Sequence, residues 1–485
     1  MTSEEVVGAV PYKDLREFIT QVEALGALRR ISGADPRFEL GGITEVAAGQ
    51  PDCPALLFDD IKGFAPGFRV FTNATVSAQR AALALGIDPM LRPLDALKAW
   101  MGKRQNLKMI APAAAKNAAF LENSARGTDV DLSKFPAPFW HRQDGGPYIG
   151  SGSLVIMRDP DSGWINASIY RVQVHGQNNV TVQFDHQGRH GAIIAKKYWD
   201  AGKACPLAVV NGEDPALFIA GFEYLPEGAS EYDFAGAIKG MPIDVCPGPI
   251  SGLPVPALAE IILEGELLPP SQETLPEGPF GEFTGYYAAD KRPCPVMVVA
   301  AAHHRTDPIL LGSPPMKPPR FHFGLPFRAA SIWSNLETAG VTDVAGVWQH
   351  VAQLMTVVAL RQRYDGHAKR AALIAAAQSY MGRLVVVVDE DVDPSDINDV
   401  MWAVTTRCEP SEQVEIVRNA WSSALDPRIP PDAKERGTTS HSKLIIEAVR
   451  PFAWKDKFPP TSALTQADAR AITDKWGAAL KNPKP

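Results

Sequence analysis

Two glutamates, Glu277 and Glu282, share the run Pro276-Glu277-Gly278-Pro279-Phe280-Gly281-Glu282, which is otherwise Pro, Gly and Phe. Pro lacks its N–H and Gly gains nothing from regular structure, so the run reads as a sharply shaped loop, neither helix nor strand. Phe280 lies between the acids and can dry at least one of them. Desolvation raises a carboxyl pKa, so such an acid can hold a proton near neutral pH and pass it on. Alone, the same seven residues also read as a solvated surface turn.

Three further features lie upstream. One is Trp164-Ile165-Asn166-Ala167-Ser168-Ile169-Tyr170-Arg171. As a strand it turns Asn166, Ser168 and Tyr170 to one side, and Ile169 and Arg171 to the other. The second is Arg189-His190, and the third is Glu231. Asn, His and Glu form a mixed O/N donor set that, with phosphate oxygens added, suits Mn²⁺ or Mg²⁺. Each residue has a plain structural reading as well: Asn166 in a turn, His190 on the surface ahead of a helix, Glu231 as a cap, Arg171 in a cross-strand ion pair.

Three α/β or β-rich regions must position these groups. In the first, Leu15, Phe18, Ile19, Val22 and Leu25 predict a helix capped by Asp14, followed by a strand over 28–31. Strands at 55–58 and 68–71 and a helix over 77–85 complete a small α/β unit. The middle region has strands at 154–157, 165–174, 180–184, 207–210 and 296–300, separated by Gly and Asn/Asp turns, a pattern that suits a barrel or sandwich. Helices are expected from 193 to 198 and 256 to 263. The last third reads as helices over 347–361, 368–378 and 396–404, with a buried aliphatic strand at 384–388. The acids of Asp389-Glu390-Asp391-Val392-Asp393 read as a metal site or as a solvated turn. A terminal amphipathic helix spans 465–480, with Ile472, Trp476 and Leu480 on one face, docked on a partner or on its own domain.

The 485 residues carry a net charge of −7 with scattered basic residues, which argues against a nucleic-acid partner. Five cysteines lie far apart without CxxC or zinc spacing, as expected of free thiols in a reducing cytoplasm. No run of about 20 apolar residues predicts a membrane span. No GxGxxG or Walker loop is present, which disfavours a Rossmann or P-loop nucleotide site.

The segments 14–31, Asp144-Gly145-Gly146-Pro147-Tyr148, Asn166 with Arg171, His190, Glu231, 256–266, Pro276 to Glu282, 387–393 and 399–407 together resemble the UbiD family of reversible decarboxylases, which use prenylated FMN. The likeness runs nearly end to end with the order kept. It implies an α/β fold with a central split β-barrel (flavin-reductase-like) flanked by N- and C-terminal α/β domains. The expected spans are 1–115, 116–310 for the flavin-binding barrel and 311–485 for the dimerisation domain, in a homodimer that some members build into a hexamer.

By position, the resemblance implies that Arg171, Glu277 and Glu282 form a catalytic Glu–Arg–Glu network. Asn166, His190 and Glu231 would hold Mn²⁺ or Mg²⁺ on the cofactor phosphate, with K⁺ nearby. Asn166, Ser168, Ile169, Arg171, Arg189, His190 and Glu231 would contact the cofactor, which a flavin prenyltransferase supplies. The implied activity is reversible, non-oxidative decarboxylation of an aromatic or heteroaromatic acid through a covalent prenylated-FMN adduct, with release of CO₂ and Glu282 as proton donor. Loss of CO₂ from such an acid leaves charge on an sp² carbon, so an electron sink is needed. Arg189 and His322 could recognise a ring hydroxyl, a ring nitrogen or a second carboxylate; an Arg on the flavin and a loop histidine in solvent is the other reading. Alternatives are a polyprenyl-hydroxybenzoate decarboxylase of quinone biosynthesis, a flavin-binding protein without decarboxylase activity, and an oxidoreductase using unmodified FMN.

Overall fold

The computed structural model describes residues 10–184, 188–462, 464 and 466–480. The opening helix is Leu15–Ala24, with the Asp14 carboxylate accepting from the Glu17 N–H at 2.9 Å and Leu15, Phe18, Ile19 and Val22 buried. Strand Leu28–Ser32 then pairs in parallel with Ala55–Asp59, which pairs antiparallel with Arg69–Thr72. The fourth strand of this sheet, Ile309–Gly312, returns from far downstream. The N-terminal unit and the middle region are therefore joined by a shared sheet.

The middle region is a ten-stranded sheet. Its main path runs Tyr148–Gly150, Arg171–His175, Asn179–Gln183, Arg292–His304, Ile261–Leu267, Cys205–Asn211, Leu154–Arg158 and Ile165–Ile169, with Thr274–Glu277 and Asn123–Arg126 pairing on Arg292–His304. Strands Ile165–Ile169 and Arg171–His175 lie near opposite ends of that path, yet only Tyr170 separates them in the chain. The sheet must therefore curl back on itself, leaving a barrel split beside Tyr170. Helices His190–Asp200, Pro215–Phe222 and Glu231–Lys239 are carried by this region.

The C-terminal sheet runs Val344–His350, Met355–Leu360, Leu384–Asp389, Ser440–Ala448 and Val414–Trp421. Val385 to Val388 are all fully buried between two parallel neighbours, as an uninterrupted aliphatic run requires.

Several expectations are corrected. The span 256–263 is not helical: strand Pro254–Pro256 ends there, and Ile261–Leu267 is a central strand in which a Cβ on Gly265 would collide with the Val298 carbonyl. The span 347–361 is a hairpin, Val344–His350 against Met355–Leu360, turning at Val351, Ala352 and Gln353 with positive φ. Its valines satisfy a helical spacing and a two-residue alternation alike, and sheet pairing decided between them. The strand expected over 165–174 breaks at Tyr170. The acidic loop begins inside a strand, Thr274–Glu277, where Pro276 faces Pro293; such prolines are tolerated on sheet edges. Asp389 and Asp391 bind Arg407 at 2.7 and 2.8 Å, which makes them part of an ion-pair network. In helix Gln466–Leu480, Ile472 and Trp476 are exposed, so that face does not dock on its own domain. The five cysteines are free. Among the described residues no helix is long and apolar enough to cross a membrane.

Candidate active site

Arg171 opens strand Arg171–His175 at the split, and Glu277 ends strand Thr274–Glu277. The chain then turns through Gly278 (φ 84°) and a cis peptide to Pro279, and this brings Glu282 back toward the same arginine. Arg171 Nε donates to Glu277 Oε1 at 2.7 Å, Nη2 to Glu277 Oε2 at 3.0 Å, and Nη1 to Glu282 Oε1 at 2.7 Å. The two acids of the opening run and the arginine over a hundred residues upstream thus form one cluster.

The cluster is dry. Side-chain exposure is 13% for Arg171, 1% for Glu277 and 13% for Glu282. Phe280 is buried, with the Arg171 guanidinium over its ring at 4.8 Å. Burial pulls the Arg171 pKa down, but the charges of Glu282 and Glu277 outweigh it and hold the guanidinium firmly protonated. Tyr148 donates its hydroxyl to Glu277 Oε1 at 3.0 Å, and burial together with the Glu277 charge pushes its own ionisation well up.

Asn166 and Glu231 form a second buried group. Asn166 Nδ2 donates to Glu231 Oε1 at 2.9 Å and to Ser168 Oγ at 3.1 Å, which agrees with Asn166 and Ser168 sharing a strand face. The Ala167 N–H donates to Glu231 Oε2 at 3.1 Å. Burial raises the Glu231 carboxyl to about 7. Asn166 Oδ1 is buried and has no partner, an acceptor left open beside Glu231 and Ser168. His190 begins helix His190–Asp200 and packs edge-on against Trp164, 5.0 Å between ring centroids. The Trp164 indole N–H in turn donates to the Ala229 carbonyl at 2.8 Å, two residues before Glu231. No cluster of three or more His, Cys, Asp and Glu side chains at metal-binding spacing occurs among the described residues. The structure brings Asn166 and Glu231 together directly and His190 only by way of Trp164.

The Arg189 guanidinium lies over Tyr170 at 5.1 Å and Tyr224 at 5.2 Å, with Nη2 near the Ile169 carbonyl at 3.4 Å. His322 is buried, not in solvent. Its Nδ1 meets Ser313 Oγ at 2.8 Å, and burial lowers its pKa to about 4, so the ring is neutral. The Phe321 ring contacts His322 at 4.9 Å and Phe283 at 5.9 Å, so aromatic rings run from the residue after Glu282 to His322.

Sequence reasoning missed Tyr148, Gln173 and Asp144 as parts of the site. The signal for Asp144 and Tyr148 was the run Asp144-Gly145-Gly146-Pro147-Tyr148, which by composition reads as a turn; Gln173, inside the expected strand, gave none.

Three family models match in order along the chain: the 3-octaprenyl-4-hydroxybenzoate carboxy-lyase N-terminal domain at 19–100, the Rift-related domain at 112–318 and the C-terminal domain at 322–448. A phenolic acid decarboxylase of Streptomyces sp. (strain D7) is 32% identical over 467 residues, covering 91% of this chain and 93% of that protein. The structure resembles the apo 3,4-dihydroxybenzoic acid decarboxylase of Enterobacter cloacae at a TM-score of 0.82 and 28% identity, covering 97% of this chain and 100% of that one. It also resembles the UbiD-class enzyme HmfF of Pelotomaculum thermopropionicum, 28% identical. The HmfF complex with FMN gives a TM-score of 0.82 over 95% of this chain and 99% of that one. An evolved dimeric form with prFMN gives 0.77 over 94% and 100%. A half-closed barrel between two α/β units, an Arg171 cluster with one buried and one partly buried glutamate and matches along almost the whole length agree: the chain belongs to the UbiD family of decarboxylases.

Proposed function

We propose that this protein is a prenylated-FMN-dependent, reversible decarboxylase of aromatic or heteroaromatic carboxylic acids, with Arg171, Glu277 and Glu282 as catalytic residues. The observation that carries the reading is the single, largely enclosed arginine shared by two glutamates. The aromatic acids named for the relatives support the substrate class, and the HmfF complexes support the cofactor.

Charge balance assigns the roles. Arg171 offers one positive charge to two carboxylates in a dry site. A substrate carboxylate entering beside them would be a third negative group, a strongly unfavourable arrangement at low dielectric. Entry therefore requires one glutamate to carry a proton. Glu277 is held by both oxygens on Arg171 and by Tyr148, which leaves Glu282 as the acid. Glu282 then delivers to the ring carbon the proton that replaces the departing CO₂. When bound, prenylated FMN supplies the electron sink for the pair released at that carbon. Arg171 keeps the carboxylate oriented, and Phe280 and Phe283 help keep water out. In carboxylation the same residues act in reverse.

The residues fit a phosphate-bearing cofactor held by a cation. Asn166 Oδ1 is a free buried acceptor and Glu231 is a buried carboxyl whose Oε1 already accepts from Asn166 Nδ2. Asn166, Glu231 and His190 would hold Mn²⁺ or Mg²⁺, with K⁺ close by, to neutralise the phosphate. Ser168, Ile169 and Arg189 would line the flavin, and Arg189 and His322 would meet the substrate ring. We assign spans 1–115, 116–310 and 311–485 to the three domains, place the protein in the cytoplasm beside its flavin prenyltransferase, and read it as a homodimer built through the last domain, the unit from which some members of the family build hexamers. The exposed Ile472 and Trp476 support that contact.

The test is a visible spectrum of protein purified with and without a co-expressed flavin prenyltransferase, paired with CO₂ release from a panel of aromatic acids. Flavin absorbance with CO₂ release only after co-expression is the expected result. A colourless, inactive protein in both preparations, with the prenyltransferase shown active, would favour the reading without decarboxylase activity. The family models' own description favours one second reading, decarboxylation of a polyprenyl-hydroxybenzoate, so the panel includes prenylated and simple acids.

A further inference from the structure

Beyond the Tyr148 hydroxyl on Glu277, the Asp144-Gly145-Gly146-Pro147-Tyr148 turn and Gln173 have no role in the chemistry above, yet they touch the acidic loop at Glu277, Gly278, Pro279 and Gly281. Asp144 Oδ1 accepts from the Gly281 N–H at 3.1 Å, while its Oδ2 accepts from the His141 N–H at 2.9 Å. The Gly145 N–H donates to the Pro279 carbonyl at 2.8 Å. Gln173 Oε1 accepts from the Gly278 N–H at 3.0 Å. Tyr148 reaches Glu277 itself at 3.0 Å.

We infer that Gln173 and Tyr148 are positioning residues that fix Glu277, and through the loop Glu282, on Arg171. The inference rests on the reading of those glutamates as catalytic. Gln173 is buried and lies on the same strand face as Arg171, two residues on. Tyr148 is its direct partner across the antiparallel pair. The Gly278 N–H must find an acceptor, so it fixes which end of the Gln173 amide carries oxygen. Tyr148 has one hydroxyl proton and two acceptors within reach, Glu277 Oε1 at 3.0 Å and Gln173 Oε1 at 3.2 Å. The charged, nearer oxygen wins it. Glu277 is thus held by its side chain through Tyr148 and by the next peptide through Gln173.

Two glycines make room for this contact. A Cβ on Gly146 would strike the Gln173 amide, and one on Gly145 would strike the Gly278 carbonyl. Gly278 itself adopts a φ that side chains disfavour. The turn therefore acts as a seat moulded to the loop.

The experiment uses full-length, cofactor-loaded Gln173→Met, Tyr148→Phe and the double variant. Both substitutions keep volume and remove the acceptor or the hydroxyl. Positioning predicts flavin content and KM within about twofold of wild type and kcat lowered about tenfold or more in each single variant. The double variant should lose less than the product of the two, because both residues hold one element. A second readout needs no activity: amide hydrogen exchange of peptides over 278–284 in the unliganded protein should quicken in Gln173→Met. Full kcat in both single variants, or a loss explained wholly by missing flavin, overturns the inference. Loaded wild type that releases no CO₂ from any acid would sink the functional reading instead. The clamp then stands or falls on exchange alone, and unchanged exchange in Gln173→Met overturns it.

Discussion

Arg171 and Glu277 meet fork to fork, Nε on Oε1 at 2.7 Å and Nη2 on Oε2 at 3.0 Å, which leaves Nη1 to reach Glu282. A lysine keeps the charge but is a point donor on a flexible stem and cannot span both acids in one plane. Arg171→Lys should therefore lose kcat by about 100-fold or more per bound flavin, since small misplacements near the reacting atoms cost that much. Steady-state CO₂ release at matched flavin content checks it. Wild-type turnover in the lysine variant would remove the fork from the mechanism.

Glu282→Gln isolates the proton. The amide has nearly the same shape and still accepts from Arg171 Nη1, but it has no acidic proton to give. Turnover should fall to background while the flavin spectrum is unchanged. Retained CO₂ release from a flavin-loaded variant would refute the donor role.

The grouping of Arg171, Glu277 and Glu282 was an expectation of the family resemblance, carried by the short runs that hold them, and the structure brings the three together. What joins them was not legible in the sequence. The contact between Arg171 and Glu277 spans over a hundred residues and depends on a sheet that curls, which local periodicity does not report. The same limit explains the misread segments. Ile261-Ile262-Leu263 and Val357-Val358 carry β-branched residues whose apolar spacing fits a helix window as well as a strand. Sheet partners, absent from the local sequence, decided both. Asp144, Tyr148 and Gln173 were unseen for a related reason: Asp-Gly-Gly-Pro announces a turn and Gln173 sits inside a strand, but nothing local shows that the Glu277–Glu282 loop rests on them.

Asn166→Ala tests the cation seat. It removes the unpartnered Oδ1 and one of the donors to Glu231, while the Ala167 N–H still holds the other Glu231 oxygen. Bound Mn²⁺ should weaken by roughly tenfold or more, the scale seen when the immediate support of a metal site is cut, and flavin retention should fall with it. Elemental analysis and the visible spectrum of dialysed protein measure both. Wild-type metal content in Asn166→Ala would exclude this pair as the seat.

His322 provides a pH test that does not need catalysis. Burial lowers its pKa from 6.5 to about 4 in the folded protein. Between those values the unfolded chain binds a proton that the folded protein refuses, so the unfolded state gains stability as pH falls. The neutral ring's contribution is fully present above 6.5 and is lost as pH drops through about 4. At pH 4.5 the loss is about 3 kcal/mol by linkage. His322→Gln has no ionisable ring, and its amide can still bond Ser313 Oγ. Denaturant midpoints at pH 7.5 and 4.5 should therefore separate more widely for wild type than for the variant. Equal separations would mean that His322 is solvated or already charged in the folded state. That would also undercut its use as a neutral hydrogen-bonding group for a substrate ring, because a charged imidazolium can only donate.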